Sequence, residues 1–151
     1  MDTVAYVARQ FAIAFVASTA WGVIFRAPKK RVVLAGLTGA LGWMGWLLAS
    51  AGGLEIVGRT ALGAFAVGIS GEIIARIWHE PATVFLTPGI VPLVPGVTVY
   101  AAMQAFVAAD YLGGLSLATE TLLAAGAIAG GLAVATSLVR AVFRLHKGSH
   151  M

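Results

Sequence analysis

Apolar residues fill long uninterrupted stretches of this chain, and charged residues gather at the joints between them. Uncharged runs cover residues 11–25, 32–54, 81–109 and 121–139, against a need of roughly 20 apolar residues for one helix to cross a bilayer. The pattern predicts helices near residues 4–25, 32–52 and 59–78, a broken one within 82–110, and a last one near 117–143. Glu72 and Arg76 interrupt the third. Without it four spans remain, and 61–74, mostly apolar and small, would lie on the surface. The fold class expected is therefore all-α: a polytopic membrane protein with about five transmembrane helices, the fourth interrupted by a Pro/Gly-rich break.

Composition supports a bilayer rather than water. Of 151 residues, 60% are hydrophobic and 11% are charged, with a mean hydropathy of +0.93; a soluble domain carries about 25% charged residues. The net charge of +4 has a membrane explanation, because basic residues collect in cytoplasmic loops. Placing the first connection in the cytoplasm puts Arg26, Lys29, Lys30, Arg31, Arg76, Arg140, Arg144 and Lys147 inside, and leaves only Arg9 and Arg59 outside. The expected location is a bacterial-type cytoplasmic (inner) membrane, crossed several times, with the N-terminus outside and the C-terminus cytoplasmic. The first hydrophobic stretch opens with Asp2 and lacks a basic leader, so it is expected to stay as a span. Residues 1–147 read as a single transmembrane domain, and the GSHM string at 148–151 as a cloning scar.

Several chemistries drop out. Without cysteine there is no disulfide framework and no thiol nucleophile. His79 and His146 have no convergent partners, so no metal and no cofactor are expected, and the serines form no hydrolytic constellation. No basic patch is interleaved with stacking aromatics, so nucleic acid is not an expected partner. The chain is not expected to be an enzyme.

Small residues mark packing seams. Gly36, Gly39, Gly42 and Gly45 recur every third position, a spacing that drifts about 60° per step around a helix and so offers two neighbours a close approach. Gly126 and Gly130 form a GxxxG pair.

The most informative segment is Pro88-Gly89-Ile90-Val91-Pro92-Leu93-Val94-Pro95-Gly96. Pro92 and Pro95 lack the helical N–H, while Gly89 and Gly96 permit backbone geometry that other residues avoid. Residues 88–96 are accordingly expected to be non-helical at membrane depth, which is tolerated only where protein or a water-filled cavity covers the backbone. Residues 97–109 then form a half-helix whose free N–H groups and positive dipole end suit a carboxylate. Thr87 and Thr98 add hydroxyls; Tyr100 and Gln104 share a face. The candidate substrate-binding set is Thr87, Pro88, Gly89, Pro92, Pro95, Gly96, Thr98, Tyr100 and Gln104. The plainer alternative is a turn between two spans. Glu72, a carboxylate inside a predicted span, is either a proton-coupling group or the i,i+4 partner of Arg76. Arg9 is expected to reach outward along the first helix.

These residues carry a resemblance. Val23-Ile24-Phe25-Arg26-Ala27-Pro28, Ala75-Arg76-Ile77-Trp78-His79-Glu80-Pro81, and above all the 88–96 string running into Tyr100-Ala101-Ala102-Met103 make the chain similar to the small-subunit, C-terminal-half module of the threonine/serine exporter family. The resemblance implies proton-driven export of threonine and serine, or of a C4 dicarboxylate such as succinate. It also implies a larger membrane subunit as partner, or a homo-oligomer when the chain is alone, besides the small carboxylate substrate and the lipid bilayer. The competing reading is a scaffolding membrane subunit whose partner carries the whole substrate path.

Overall fold

The computed structural model describes residues 3–148, with side chains described as far as Phe143. The chain forms α1 (Thr3–Ile24), α2 (Val32–Ala51), α3 (Ile56–Trp78), α4 (Thr83–Ile90), α5 (Gly96–Val107) and α6 (Tyr111–Gly148), with a 3-10 turn, Val91–Leu93, between α4 and α5. Among the described residues there is no strand. α1, α2, α3 and α6 are each long and apolar enough to cross a membrane, and the α4–α5 stretch reaches that length as a bent pair. α1, α2 and α3 run antiparallel in turn because their connections are short, and α6, reached through α4 and α5, runs parallel to α3, with the first turns of both side by side. α1 packs on α2, α2 on α3, and α3 on α6; α4 wedges against α2 and α3, whereas α5 lies chiefly along α6.

Local chemistry sets the ends. α3 stops where His79 turns left-handed at φ 54°, with the N–H of Glu80 returning to the Ala75 carbonyl at 3.0 Å, and Pro81 prevents its continuation. α6 begins at Tyr111, earlier than the 117 expected, because Asp110 caps it: its Oδ1 accepts the N–H of Gly113 at 3.0 Å, satisfying one of the orphan donors. Gly113 and Gly114, ahead of the expected start, are helical, and a Cβ at Gly114 would stand 2.8 Å from the Phe106 ring. Glycine there lets α5 lie close. α3 likewise starts at Ile56 rather than 59. The expectations for the side chains of Arg144, His146 and Lys147 and for 149–151 lie outside the described residues.

Between helices in lipid the attraction is close packing rather than the hydrophobic effect. The α2 glycines supply it by turning from one neighbour to the next. A Cβ at Gly36 would meet Thr19 and Phe15 of α1, and one at Gly39 would collide with Ser18 of α1; at Gly42 it would collide with Val67 of α3, and at Gly45 it would come within 3.2 Å of Ala66 in α3. Gly126 and Gly130 have open space where a Cβ would be, so the GxxxG pair is no seam between the described helices. The core gathers around Ala64, Val67, Leu93 and Ile128, with a second cluster of Ala35, Ala75 and Phe85. Polar ties are few. The Trp43 indole N–H donates to Gln10 Oε1 at 3.1 Å, joining α2 to α1. Arg31 pairs with Glu80 at 3.5 Å and lies 4.1 Å from the Trp78 ring centre, joining the two loops at the basic end of the bundle.

Candidate functional site

The break is narrower than its sequence suggests. Pro88, Gly89 and Ile90 belong to α4, Val91–Leu93 tighten to 3-10 geometry, and only Val94 and Pro95 leave the helix. The expectation that all of 88–96 is non-helical is therefore corrected. Pro88 already has a helical φ and forfeits a single bond to the Val84 carbonyl, while its ring is buried in the bundle. Gly89 lets α4 press to within 3.0 Å, at a Cβ position, of both Thr38 and Val67. That close packing holds the proline-containing helix in place. Val94 is extended, with ψ 127°, as a residue before proline prefers. The resulting bend between the two pieces is 51°.

At the bend, the N–H of Gly96 turns back to the Val94 carbonyl at 2.8 Å, and the first full-turn bond runs from the Val99 N–H to the Pro95 carbonyl at 3.1 Å. The N–H groups of Val97 and Thr98 have no acceptor one turn earlier, the usual condition of a helix start. A Cβ at Gly96 would meet nothing within 4 Å, and Val97 is 85% exposed. This helix start faces open space.

Apart from Gly89, the sequence-selected substrate-binding residues fall in three places. Thr87 and Pro88 line a cavity of about 280 Å³ with Phe25, Arg26 and Pro28 at the basic end. Pro92, Pro95, Gly96 and Thr98 form the bend. Tyr100 and Gln104 sit on the exposed side of α5, where the Gln104 amide donates to the Tyr100 hydroxyl at 3.2 Å, in a hollow of about 740 Å³ that also includes Asp110. Gly89 packs inside the bundle. Arg9 lies exposed on α1.

Glu72 is buried on α3. Arg76 reaches its Oε2 at 2.6 Å, as the i,i+4 spacing suggests, and Arg140 of α6 donates to its Oε1 from Nε at 3.2 Å and from Nη2 at 3.0 Å. The Arg76 guanidinium also lies 4.8 Å from the Phe143 ring centre. Glu72 thus ties α3 to α6 through Arg140, while Arg76 of its own helix holds the other carboxylate oxygen. Sequence reasoning missed Arg140, which is 68 positions away. The available signal was that a buried carboxylate needs compensation, and that Arg140, late in α6, falls at the same basic end of the bundle as Glu72, late in α3.

Residues 10–138 match the family model described as "Threonine/Serine exporter, ThrE". Over 120 residues the chain is 33% identical to a threonine/serine exporter of Corynebacterium glutamicum, an alignment covering 76% of this chain and 24% of that protein. The chain spans about a quarter of the length of that curated relative. No solved structure matches.

Proposed function

Because the chain belongs to the threonine/serine exporter family, we propose that it is a membrane component of a secondary exporter for a small carboxylate-bearing metabolite. Threonine and serine come first, and a C4 dicarboxylate such as succinate second. On this reading it acts as a carrier rather than an enzyme. α4, the 3-10 turn and α5 together make one broken span, so that five spans set the N-terminus outside and the C-terminus in the cytoplasm of a bacterial-type inner membrane, in keeping with the basic Arg26–Arg31 loop. On this reading the chain works with a larger membrane subunit of the same family, or with a second copy of itself.

The observation that carries the reading is the pair of acceptor-free N–H groups on Val97 and Thr98, next to the open space at Gly96. The positive end of a helix dipole with free donors favours an anion, and a broken membrane helix presents one at depth. The proton gradient supplies the drive. Glu72 is the candidate coupling group, because its protonation would release Arg140 and loosen α3 from α6.

Export of labelled threonine, serine and succinate from cells expressing the chain, with and without the partner subunit, tests this. A Cβ at Gly96 meets nothing within 4 Å, so Gly96→Leu should assemble normally while shielding the free N–H groups. Loss of a hydrogen bond to a charged group is worth about 1.5–3 kcal/mol, so substrate affinity should fall about tenfold to hundredfold. Unchanged affinity would instead favour the second reading, a scaffold for a partner that carries the whole path. The dispersal of the candidate residues over three places speaks for that second reading.

A further inference from the structure

The first turns of α3 and α6 frame a cavity of about 870 Å³, within the usual range for small-molecule sites. It lies at the end of the bundle opposite the basic loop, since α2 carries the chain from that loop to the start of α3. It holds none of the residues assigned above. Arg59, Glu55 and Glu120 supply its charges, and Ser116 supplies a hydroxyl. Arg59 is anchored from behind: its Nε–H donates to the Leu54 carbonyl and its guanidinium lies 5.6 Å from the Trp46 ring centre, which leaves its terminal N–H groups for a ligand. Glu120 is half-buried in the third turn of α6. Among the described residues neither Arg59 nor Glu120 enters an ion pair. Arg59 and Glu120 thus present opposite charges to the same open groove.

We propose that this cavity binds a zwitterionic α-amino acid. The carboxylate takes Arg59 and the free N–H groups of Ile56 and Val57 at the start of α3, where no side chain caps the helix and the dipole adds positive charge. The ammonium takes Glu120, with Glu55 at the rim. Two carboxylates against one guanidinium repel a dianion such as succinate, and a simple cation would leave Arg59 unmet. Only a ligand carrying both charges satisfies the lining. The choice of an amino acid over other zwitterions rests on the exporter reading; the place does not depend on the bend.

The test is equilibrium binding of labelled L-threonine to the purified full chain in lipid nanodiscs. L-Serine should compete; N-acetyl-L-threonine, L-threonine methyl ester and succinate, each lacking one of the two charges, should not. Arg59→Gln and Glu120→Gln should each weaken threonine binding about tenfold to hundredfold, with melting and elution profiles unchanged, and Glu120→Asp should recover part of the loss. Competition by succinate equal to that by serine, full affinity in both Gln variants, or no binding by the unsubstituted chain would overturn the proposal. Gly96→Leu in the same assay separates the two sites: a loss confined to it keeps the bend and removes the cavity. Binding intact in the cavity but no export of any substrate by cells would leave the cavity standing and remove the exporter reading.

Discussion

At the scale of single residues, the decisive group is Glu72, because one side chain holds two helices. Its side chain is 5% exposed, against 27% for Arg76 and 63% for Arg140. Removing the buried partner strands two guanidiniums beside each other, whereas removing Arg140 leaves Glu72 with Arg76. Breaking a buried pair costs about 3–5 kcal/mol and an exposed one about 1 kcal/mol or less. Glu72→Gln should therefore lower the melting temperature in detergent well below that of Arg140→Gln; a Glu72→Gln protein as stable as the parent would show that the ion pairs do not hold α3 to α6. If Glu72 also couples protons, its Gln variant should lose the pH dependence of export that Arg140→Gln retains. The spacing of Glu72 and Arg76 made half of this cluster legible in the sequence. Arg140 was not, because nothing local to residue 140 announces a partner on another helix.

At the scale of elements, contact is set by where a helix can do without a side chain. The α1–α2 crossing depends on Gly39, whose hydrogen sits against Ser18; that serine's Oγ is buried with no hydrogen-bond partner. Gly39→Ala should push α1 away, at about 1–3 kcal/mol for overpacking, and Ser18→Gly in the same chain should relieve it. Gly126→Ala, with open space around it, should leave thermal stability of the single chain unchanged. A Gly39→Ala protein as stable as the parent would show that the crossing is loose. The α2 ridge was legible as a repeat, and its wrapping between two neighbours followed from the mismatch of three with 3.6 residues per turn. The silent GxxxG shows the limit of that reasoning, since a motif records that close approach is allowed and not that a neighbour comes.

For the whole molecule, the antiparallel order of α1, α2 and α3 turns the charge asymmetry into a topology. Lys30 and Gly53 lie in successive loops at opposite ends of α2, and the chain has no cysteine of its own. Single cysteines at these two positions should respond differently to an impermeant thiol reagent in intact cells, with Gly53→Cys labelled and Lys30→Cys protected. Labelling of Lys30→Cys with protection of Gly53→Cys would invert the orientation and move the α3–α6 cavity to the cytoplasmic side. The bend belongs to this scale as well. α4 is held by α1, α2 and α3, whereas α5 lies chiefly along α6, so the two pieces of the broken stretch answer to different neighbours.

By itself the sequence determined the order of the long apolar helices, the basic end, and that the Pro/Gly segment interrupts the helical stretch between α3 and α6, because hydropathy, charge and missing N–H groups act through the chain within a few turns. Only the tertiary structure decided that Pro88 stays helical, since the packing of Gly89 against Thr38 and Val67 outweighs one lost hydrogen bond. It alone joined Glu72 to Arg140 and set Arg59 and Glu120 around one cavity. Each of these pairs residues far apart in sequence. Such meetings depend on which helix faces turn toward each other, and helix-face packing is a property of the assembled bundle rather than of any segment in it.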